Sequence, residues 1–242
     1  MSLWVLGTDT GVGKTAVSAL LMARYRQQPG IAYWKPIATG AGKAQSPVAP
    51  GIAGRAMSGA SAVSGDRSTV MALAGAGVET LPEVYHFTDP VSPHLAARRA
   101  GSRIEQRALL SALEGHHAAG KRLVIEGIGG VLVPLDDAGT LLADVVASSN
   151  LPAVVVARST LGTINHTLLT LEALGRRQVP VLGVVLNGPS EDDNRGAIRR
   201  QGGVSVLAEL PEMAPFDAAA CATEAACLDP DGVLASWLGG HR

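Results

Sequence analysis

Residues 7–15 read Gly7-Thr8-Asp9-Thr10-Gly11-Val12-Gly13-Lys14-Thr15 and lie between an apolar run at residues 3–6 and a helical pattern at residues 16–26. A glycine-rich turn between a strand and a helix holds phosphate oxygens with its backbone N–H groups, and the helix N-terminus adds positive potential. The lysine reaches the outer phosphates, and the threonine hydroxyl can ligate Mg²⁺. The first glycine lies one position further from the lysine than in the usual G-x-x-x-x-G-K-[ST] pattern. We predict a phosphate-binding loop.

The rest of the chain alternates strand-like and helix-like segments. Apolar, β-branched runs follow at residues 31–35, 123–125, 153–157 and 181–186. Runs without polar alternation are typical of parallel strands that are buried on both faces. Helical patterns lie between them, at residues 141–148, 164–174 and 192–200, and Ser92-Pro93 has the composition of a helix start. We predict a doubly wound α/β fold, with a mostly parallel sheet and helices on both faces, as one domain over residues 1–242.

One segment departs from this pattern. Residues 41–65 are mostly Ala, Gly, Ser and Pro and contain no aromatic residue. Such a composition offers little apolar surface to offset the entropy of ordering. We expect a long mobile loop here.

Composition excludes several classes of protein. The chain has 242 residues, of which 47% are hydrophobic and 17% charged, so it can bury a sizeable core. Its formal net charge of −1 provides no field for nucleic acid or a membrane surface, and 3% aromatic residues argue against base stacking. Apolar runs are too short to span a bilayer, and no secretory leader is evident. We expect a cytoplasmic protein that binds small molecules.

Three further side chains suggest a site beside the phosphate loop. Lys35 ends the second predicted strand and would open into the crevice where such folds bind ligands, although a lysine at a strand end can equally be a solvated surface charge. Glu126 closes the strand at residues 123–125, where a carboxylate can serve Mg²⁺, or else cap a helix or pair with a surface lysine. Asp66 follows the loop and, taken alone, is better explained as the N-cap of a helix at residues 67–74. Together these residues predict ATP, Mg²⁺ and phosphoryl chemistry.

The motifs, taken in order, resemble those of the dethiobiotin synthetase family, which is built on the P-loop NTPase fold. They are GTDTGVGKT at residues 7–15, YWKPIATG at 33–40, GD at 65–66, VSPH at 91–94, VIEGIGG at 124–130, LGTINHTLLTLEAL at 161–174 and VVLNG at 184–188. The resemblance implies an ATP-dependent ligase of biotin biosynthesis. Its reaction closes a cyclic urea on 7,8-diaminononanoate with CO₂ and ATP, gives dethiobiotin, ADP and phosphate, and takes place in a homodimer.

The resemblance also implies a role for each matched residue. Lys14 and Lys35 are the catalytic residues, which neutralise charge on the γ-phosphoryl group and the carbamate. The metal ligands for Mg²⁺ are Thr15, Asp66 and Glu126. The residues assigned to ATP are Thr10, Gly11, Val12, Gly13, Lys14, Thr15, Glu126, Gly127 and Asn187, of which Asn187 would read the adenine edge. The residues assigned to the substrate are Thr39, which would bond the reacting group, and Gly162, Thr163, Ile164 and Asn165, a helix start through which the neighbouring subunit would hold the substrate carboxylate.

Two alternatives share the phosphate loop. ATPase switches of the partition and cell-division type carry an additional lysine five residues before the invariant one, and this chain has Asp9 there. The chain also has no basic amphipathic C-terminal helix for membrane docking. The amidating synthetase domains of cobalamin assembly are nearer relatives, but their glutaminase partner would need several hundred more residues. The sequence therefore favours the synthetase.

Overall fold

A computed structural model of the chain describes residues 2–40, 65–189, 192–211 and 216–238. The strands are β1 (Leu3–Gly7), β2 (Ile31–Trp34), β3 (Ile37–Ala38), β4 (Thr80–Leu81), β5 (Tyr85–His86), β6 (Arg122–Gly130), β7 (Ala153–Arg158), β8 (Val181–Asn187) and β9 (Val206–Leu210). The helices are α1 (Lys14–Tyr25), α2 (Gly65–Ala74), α3 (Pro93–Arg99), α4 (Gln106–Ala118), α5 (Leu142–Ser148), α6 (Thr163–Gly175), α7 (Asp192–Gly202), α8 (Ala218–Cys227) and α9 (Ala235–Leu238).

Seven of these strands form one parallel sheet in the order β4-β2-β6-β1-β7-β8-β9. The first strand, β1, lies in the middle and pairs with β6 on one side and β7 on the other. The winding direction reverses at β1, and a crevice opens there at the carboxyl ends of the strands. β3 and β5 pair separately as a small parallel sheet. The predicted doubly wound α/β fold is confirmed.

The strands contribute to two cores, one on each face of the sheet. Along β1, Trp4 and Leu6 pack into one cluster, and Leu3 and Val5 pack into the other. Helices α3 to α7 cover the first core, and α1, α2, α8 and α9 cover the second. Because both faces are covered, each strand position must be apolar, and this explains the uninterrupted runs in the sequence.

The predicted strands and crossover helices are present with small shifts at their ends. The strand that carries Glu126 is longer than predicted, since β6 continues to Gly130. Ser92 precedes α3 as predicted, but its side chain makes no capping hydrogen bond. The sequence prediction missed α4, β9 and α8. The last of these begins after Asp217, whose carboxylate accepts hydrogen bonds from the backbone N–H groups of the second and third residues of the helix.

The prediction of a mobile loop at residues 41–65 falls almost wholly outside the described residues. Gly65 is described and is the first residue of α2, so this helix begins two residues earlier than residue 67, where the sequence placed its start. Asp66 is therefore not the N-cap but a residue of the first turn, and its carboxylate points to Lys35 instead of to the helix backbone. That residues 1–242 form one domain stays a prediction.

Candidate active site

The phosphate loop joins β1 to α1 and needs glycine at two positions. Gly13 has a φ of +100°, and a Cβ there would lie 2.2 Å from Nδ2 of Asn187. A Cβ on Gly7 would lie 2.8 Å from Nζ of Lys14. A side chain at either position would displace the loop or the lysine. The unusual spacing of the motif thus places its first glycine where the lysine side chain passes.

Lys14, at the start of α1, folds back over the phosphate loop. Its Nζ donates hydrogen bonds to the backbone carbonyls of Asp9 at 2.8 Å and Gly129 at 3.0 Å. Burial lowers the pKa of this lysine to about 8, and the negative charge of Glu126 offsets that effect only in part. Phosphate oxygens can replace the two neutral carbonyls and would stabilise the charged form.

A second buried lysine joins a carboxylate within β6 to one in the first turn of α2. Lys35 directly follows β2, and its Nζ donates to Oδ2 of Asp66 at 2.5 Å and to Oε1 of Glu126 at 2.9 Å. Glu126 is 1% exposed and Lys35 is 6% exposed. The alternative interpretation of Lys35 as a solvated surface charge is therefore wrong, and the lysine that pairs with Glu126 is this buried one and not a surface lysine. The topology brings them together because β2 and β6 are neighbours in the sheet.

Thr15 completes this cluster. Its hydroxyl lies 3.0 Å from Oδ1 of Asp66 and 3.0 Å from Oε1 of Glu126. A hydroxyl has one proton and can donate to only one of these carboxylates at a time. The ammonium of Lys35 donates to both of them and balances part of their negative charge. Burial by itself would raise the pKa of Asp66, but the charge and hydrogen bonds of Lys35 outweigh it and hold that pKa below its usual value. Burial likewise disfavours the charged form of Lys35, yet the two carboxylates raise its pKa above the usual value.

The donor set of this cluster fits Mg²⁺. A hydroxyl and two carboxylates are hard oxygen ligands, and Mg²⁺ is commonly held by one or two carboxylates together with substrate phosphates. The ammonium of Lys35 already demonstrates that the two carboxylates accept a cation between them. No group of three His, Cys, Asp or Glu side chains with metal-binding geometry occurs among the described residues, so a complete cage of such side chains is not found there.

The cluster opens into a crevice of about 660 Å³. The polar part of its lining includes the phosphate loop, both lysines, both carboxylates and Thr39. The apolar side chains of the lining are those of Pro90, Val91, Pro93, Ile128 and Val133. The crevice therefore combines charged groups suited to phosphates with apolar surface suited to an aliphatic chain.

Comparison with known proteins assigns this arrangement to a family. The family model described as "AAA domain" matches residues 1–220. An ATP-dependent dethiobiotin synthetase of Paramagnetospirillum magneticum is 43% identical over 91% of this chain and 92% of its own length. Another, from Brucella ovis, is 41% identical over 86% of this chain and 85% of its own length. This chain belongs to the dethiobiotin synthetase family. Members of that family use ATP, as their names state.

The fold itself is shared with ATPase switches. A MinC:MinD cell division protein complex of Aquifex aeolicus contains a chain that matches with a TM-score of 0.54 and 15% identity, covering 90% of this chain and 85% of its own. At that identity the likeness shows only the fold. The identity to the synthetases favours the enzyme over a switch. Among the described residues, no helix is long and apolar enough to cross a membrane, and a cytoplasmic location stays a prediction.

Three residues that the family resemblance assigns to ATP do not line the main crevice. Val12 belongs to the phosphate loop, but its side chain is 1% exposed and packs in the core. Asn187 at the end of β8 faces a neighbouring pocket across the phosphate loop, and its Nδ2 donates to the carbonyl of Val12 at 3.1 Å. Gly127 does not line the crevice, because its α-carbon faces Leu6 and Leu142 in the core. The structure therefore gives Gly127 a packing role, since a Cβ there would lie 2.9 Å from Cδ2 of Leu6.

The predicted substrate residues at positions 162–165 also lie outside the crevice of their own subunit. Gly162 precedes α6 with a φ of +93°, and the hydroxyl of Thr163 donates to the carbonyl of Arg158. Asn165 is exposed on the first turn. That residues 162–165 hold the substrate of a neighbouring subunit stays a prediction.

Two contacts near the site were not predicted. Arg158 donates to Oδ2 of Asp9 at 2.8 Å and ties the phosphate loop to the end of β7. Tyr33, in the middle of β2, donates its hydroxyl hydrogen to Oε2 of Glu126 at 2.9 Å. The signal for Tyr33 was its position two residues before Lys35, because alternate residues of a strand share a face.

Proposed function

We propose that this chain carries out the reaction of its family, ATP-dependent dethiobiotin synthesis, with the cluster at the carboxyl ends of β1, β2 and β6 as its catalytic centre. An amine of diaminononanoate combines with CO₂ as a carbamate, and a carbamate oxygen attacks the γ-phosphorus of ATP, so that ADP leaves. The second amine then attacks the carbonyl carbon and expels phosphate, which closes the urea ring. The observation that carries this assignment is the buried Lys35 beside the phosphate loop.

In this proposal the two lysines neutralise the charge that develops during phosphoryl transfer. Lys14 moves from the carbonyls of Asp9 and Gly129 to the phosphates, and Lys35 moves from Asp66 and Glu126 towards the carbamate. Phosphoryl transfer depends on positioning and charge stabilisation more than on covalent assistance from the protein. No nucleophilic side chain is required.

Mg²⁺ would be held by Thr15, Asp66 and Glu126 together with phosphate oxygens. When bound, it would neutralise phosphate charge and orient the transferred group. The chain's own contribution is to place three oxygen ligands together. The Thr15 hydroxyl lies 3.0 Å from an oxygen of Asp66 and 3.0 Å from an oxygen of Glu126. Occupation of that position by the metal would free Lys35.

The remaining substrate contacts follow from the shape of the crevice. Thr39 lines the crevice, and its hydroxyl would bond the reacting carbamate. The aliphatic chain of diaminononanoate would lie against Val91, Ile128 and Val133. The Nδ2 of Asn187 donates one hydrogen bond to the carbonyl of Val12. Its Oδ1 and its second N–H would bond the adenine edge.

We further propose that the enzyme is a homodimer whose sites are shared. Leu132 and Leu169 line one surface pocket and are 52% and 56% exposed, and Leu161, two residues before α6, is 104% exposed. Neighbouring exposed apolar groups such as Leu132 and Leu169 are typical of an interface. The partner's helix start at residues 162–165 would then hold the substrate carboxylate.

The direct test is to incubate the protein with diaminononanoate, bicarbonate, Mg²⁺ and ATP and to detect dethiobiotin by mass spectrometry. We expect product with the wild-type protein and product formation slower by a factor of about 100 or more with Lys35→Ala. An Arg98→Ala variant is the matched control, because it removes a cation from an exposed ion pair with Asp137. ADP release without dethiobiotin would contradict the proposal and would favour the alternative function, an ATPase switch.

A further inference from the structure

Tyr33 carries a buried hydroxyl that the reaction as described does not use. Its side chain is 0% exposed, and it packs with Val5 and Val124 in the core beneath α1. A phenylalanine would supply the same apolar surface there. Within the described part of the chain, the hydroxyl has one partner at hydrogen-bond distance, Oε2 of Glu126 at 2.9 Å.

The strand geometry explains why Tyr33 and Lys35 approach the same carboxylate. They are two residues apart, so their side chains leave the chain on the same face. Each donates to a different oxygen of Glu126, Lys35 to Oε1 and Tyr33 to Oε2. The carboxylate is thereby fixed in rotation, with Oε1 turned to the crevice and to Thr15.

We infer that Tyr33 is a positioning residue, which orients Glu126 for metal binding through its hydroxyl group. The inference rests on the proposed metal role of Glu126. In that proposal both Thr15 and Lys35 change partners when Mg²⁺ and ATP bind. The Tyr33 hydroxyl bonds the oxygen that faces away from the crevice, so it is the donor that stays with Glu126 throughout.

The expected effect follows from the burial of Glu126. A buried carboxylate oxygen without a donor is costly, and the side chain would rotate to recover one. Rotation would turn Oε1 away from Thr15 and disrupt the metal position. Loss of an outer-shell partner typically costs about 10- to 100-fold in metal affinity. We expect Tyr33→Phe to weaken metal binding within that range.

Tyr25→Phe is a matched control elsewhere in the chain. The hydroxyl of Tyr25 donates to Oδ2 of the buried Asp229 at 3.0 Å and joins α1 to the C-terminal segment. The two substitutions remove the same group from a buried carboxylate. Only Tyr33→Phe does so at the proposed metal site, so a general loss of stability would affect both variants.

The experiment titrates Mn²⁺ into a solution of ADP and protein in which the protein is in excess over ADP. The concentration of free Mn²⁺ is measured from its electron paramagnetic resonance signal. We expect Glu126→Gln and Tyr33→Phe to weaken binding, Tyr25→Phe to bind as the wild type does, and the double variant Tyr33→Phe/Glu126→Gln to bind no more weakly than Glu126→Gln. A second measurement is the rise in Tm that Mn²⁺ and ADP cause in each variant. Because each variant is compared with itself, this rise reports metal binding even where the variants differ in stability.

Each contrary result has a distinct meaning. If Glu126→Gln loses affinity while Tyr33→Phe does not, the inference about Tyr33 is wrong and the proposed metal site stands. If Glu126→Gln binds Mn²⁺ as the wild type does, the metal role of Glu126 fails, and the inference fails with it. If the double variant is tenfold weaker than Glu126→Gln, Tyr33 acts on something other than Glu126.

Discussion

The ammonium of Lys35 should stabilise the ligand-free protein as well as serve the reaction, so Lys35→Ala should have two separable effects. Lys35 and Glu126 are almost fully buried, whereas the Asp66 side chain is 41% exposed. Removing one partner of a buried ion pair costs about 3 to 5 kcal/mol. Because solvent screens the Asp66 contact, we take the lower end of that range. About 3 kcal/mol corresponds to a fall in Tm of roughly 6 to 12 °C for a chain of this size.

The assay is thermal unfolding by circular dichroism, first in EDTA and then with Mg²⁺ and ADP. In EDTA we expect Lys35→Ala to melt below the wild type by the amount given above. Mg²⁺ with ADP should raise the Tm of the variant more than that of the wild type, because the divalent cation replaces the missing positive charge. Turnover should fall by a factor of about 100 or more, since one such interaction in the transition state is worth about 3 kcal/mol.

Lys121→Ala is the matched control, because Lys121 pairs with Glu79 at 2.6 Å on the surface. An exposed pair contributes only about 0 to 1 kcal/mol, so this variant should melt within roughly 4 °C of the wild type. A Lys35→Ala protein that melts with the wild type in EDTA would refute the role of the lysine in balancing the two carboxylates. Near wild-type turnover would refute its catalytic role.

Further predictions concern protons and subunits. Because burial lowers the pKa of Lys14 to about 8 and phosphates favour its charged form, ATP binding should take up protons near pH 8 and weaken as the pH rises further. Calorimetric titration in two buffers of different ionisation enthalpy measures this uptake, which Lys14→Met should abolish. The unfolded chain, with the ordinary lysine pKa of 10.5, binds the proton that the folded chain has lost, so this group makes stability rise between about pH 8 and 10.5. An equal mixture of inactive Lys14→Ala and Asn165→Ala subunits should recover about a quarter of wild-type activity, because half of the dimers are mixed and each has one intact site. Leu169→Glu should give monomers in size-exclusion chromatography, and an active monomer would contradict the shared site.

The sequence was most informative where a residue's chemistry depends on local order along the chain. The phosphate loop could be identified because strand, glycine turn and helix are contiguous, and its lysine is buried beside Gly129 as a phosphate-facing lysine requires. Lys35 and Glu126 could be proposed because each ends an apolar run that predicts a parallel strand, and the carboxyl ends of such strands meet at one edge of the sheet. Asp66 follows a long segment without a pattern, so the family resemblance alone connected it to the site.

Other features could not be predicted from local patterns. Tyr33 belongs to an apolar strand, and its hydrogen bond to Glu126 depends on the pairing of β2 with β6 and on the register that sets Tyr33 opposite Val124. Gly127 was assigned to ATP because glycines often allow a ligand to approach the backbone. In the folded chain it lies between Leu6 and Leu142, where tight packing gives an equally good reason for a glycine.

The contacts of the cluster explain how one site can hold two buried lysines beside two carboxylates. Lys35 neutralises Asp66 and Glu126 at distances of 2.5 and 2.9 Å, while Lys14 rests on neutral carbonyls. A metal ion that takes the position between the carboxylates must displace the Lys35 ammonium, and the nearest place for that charge is the crevice where the carbamate would form. In this proposal metal binding and delivery of Lys35 to the carbamate are one event. Lys35→Ala protein that binds Mn²⁺ no more tightly than the wild type does would contradict this coupling.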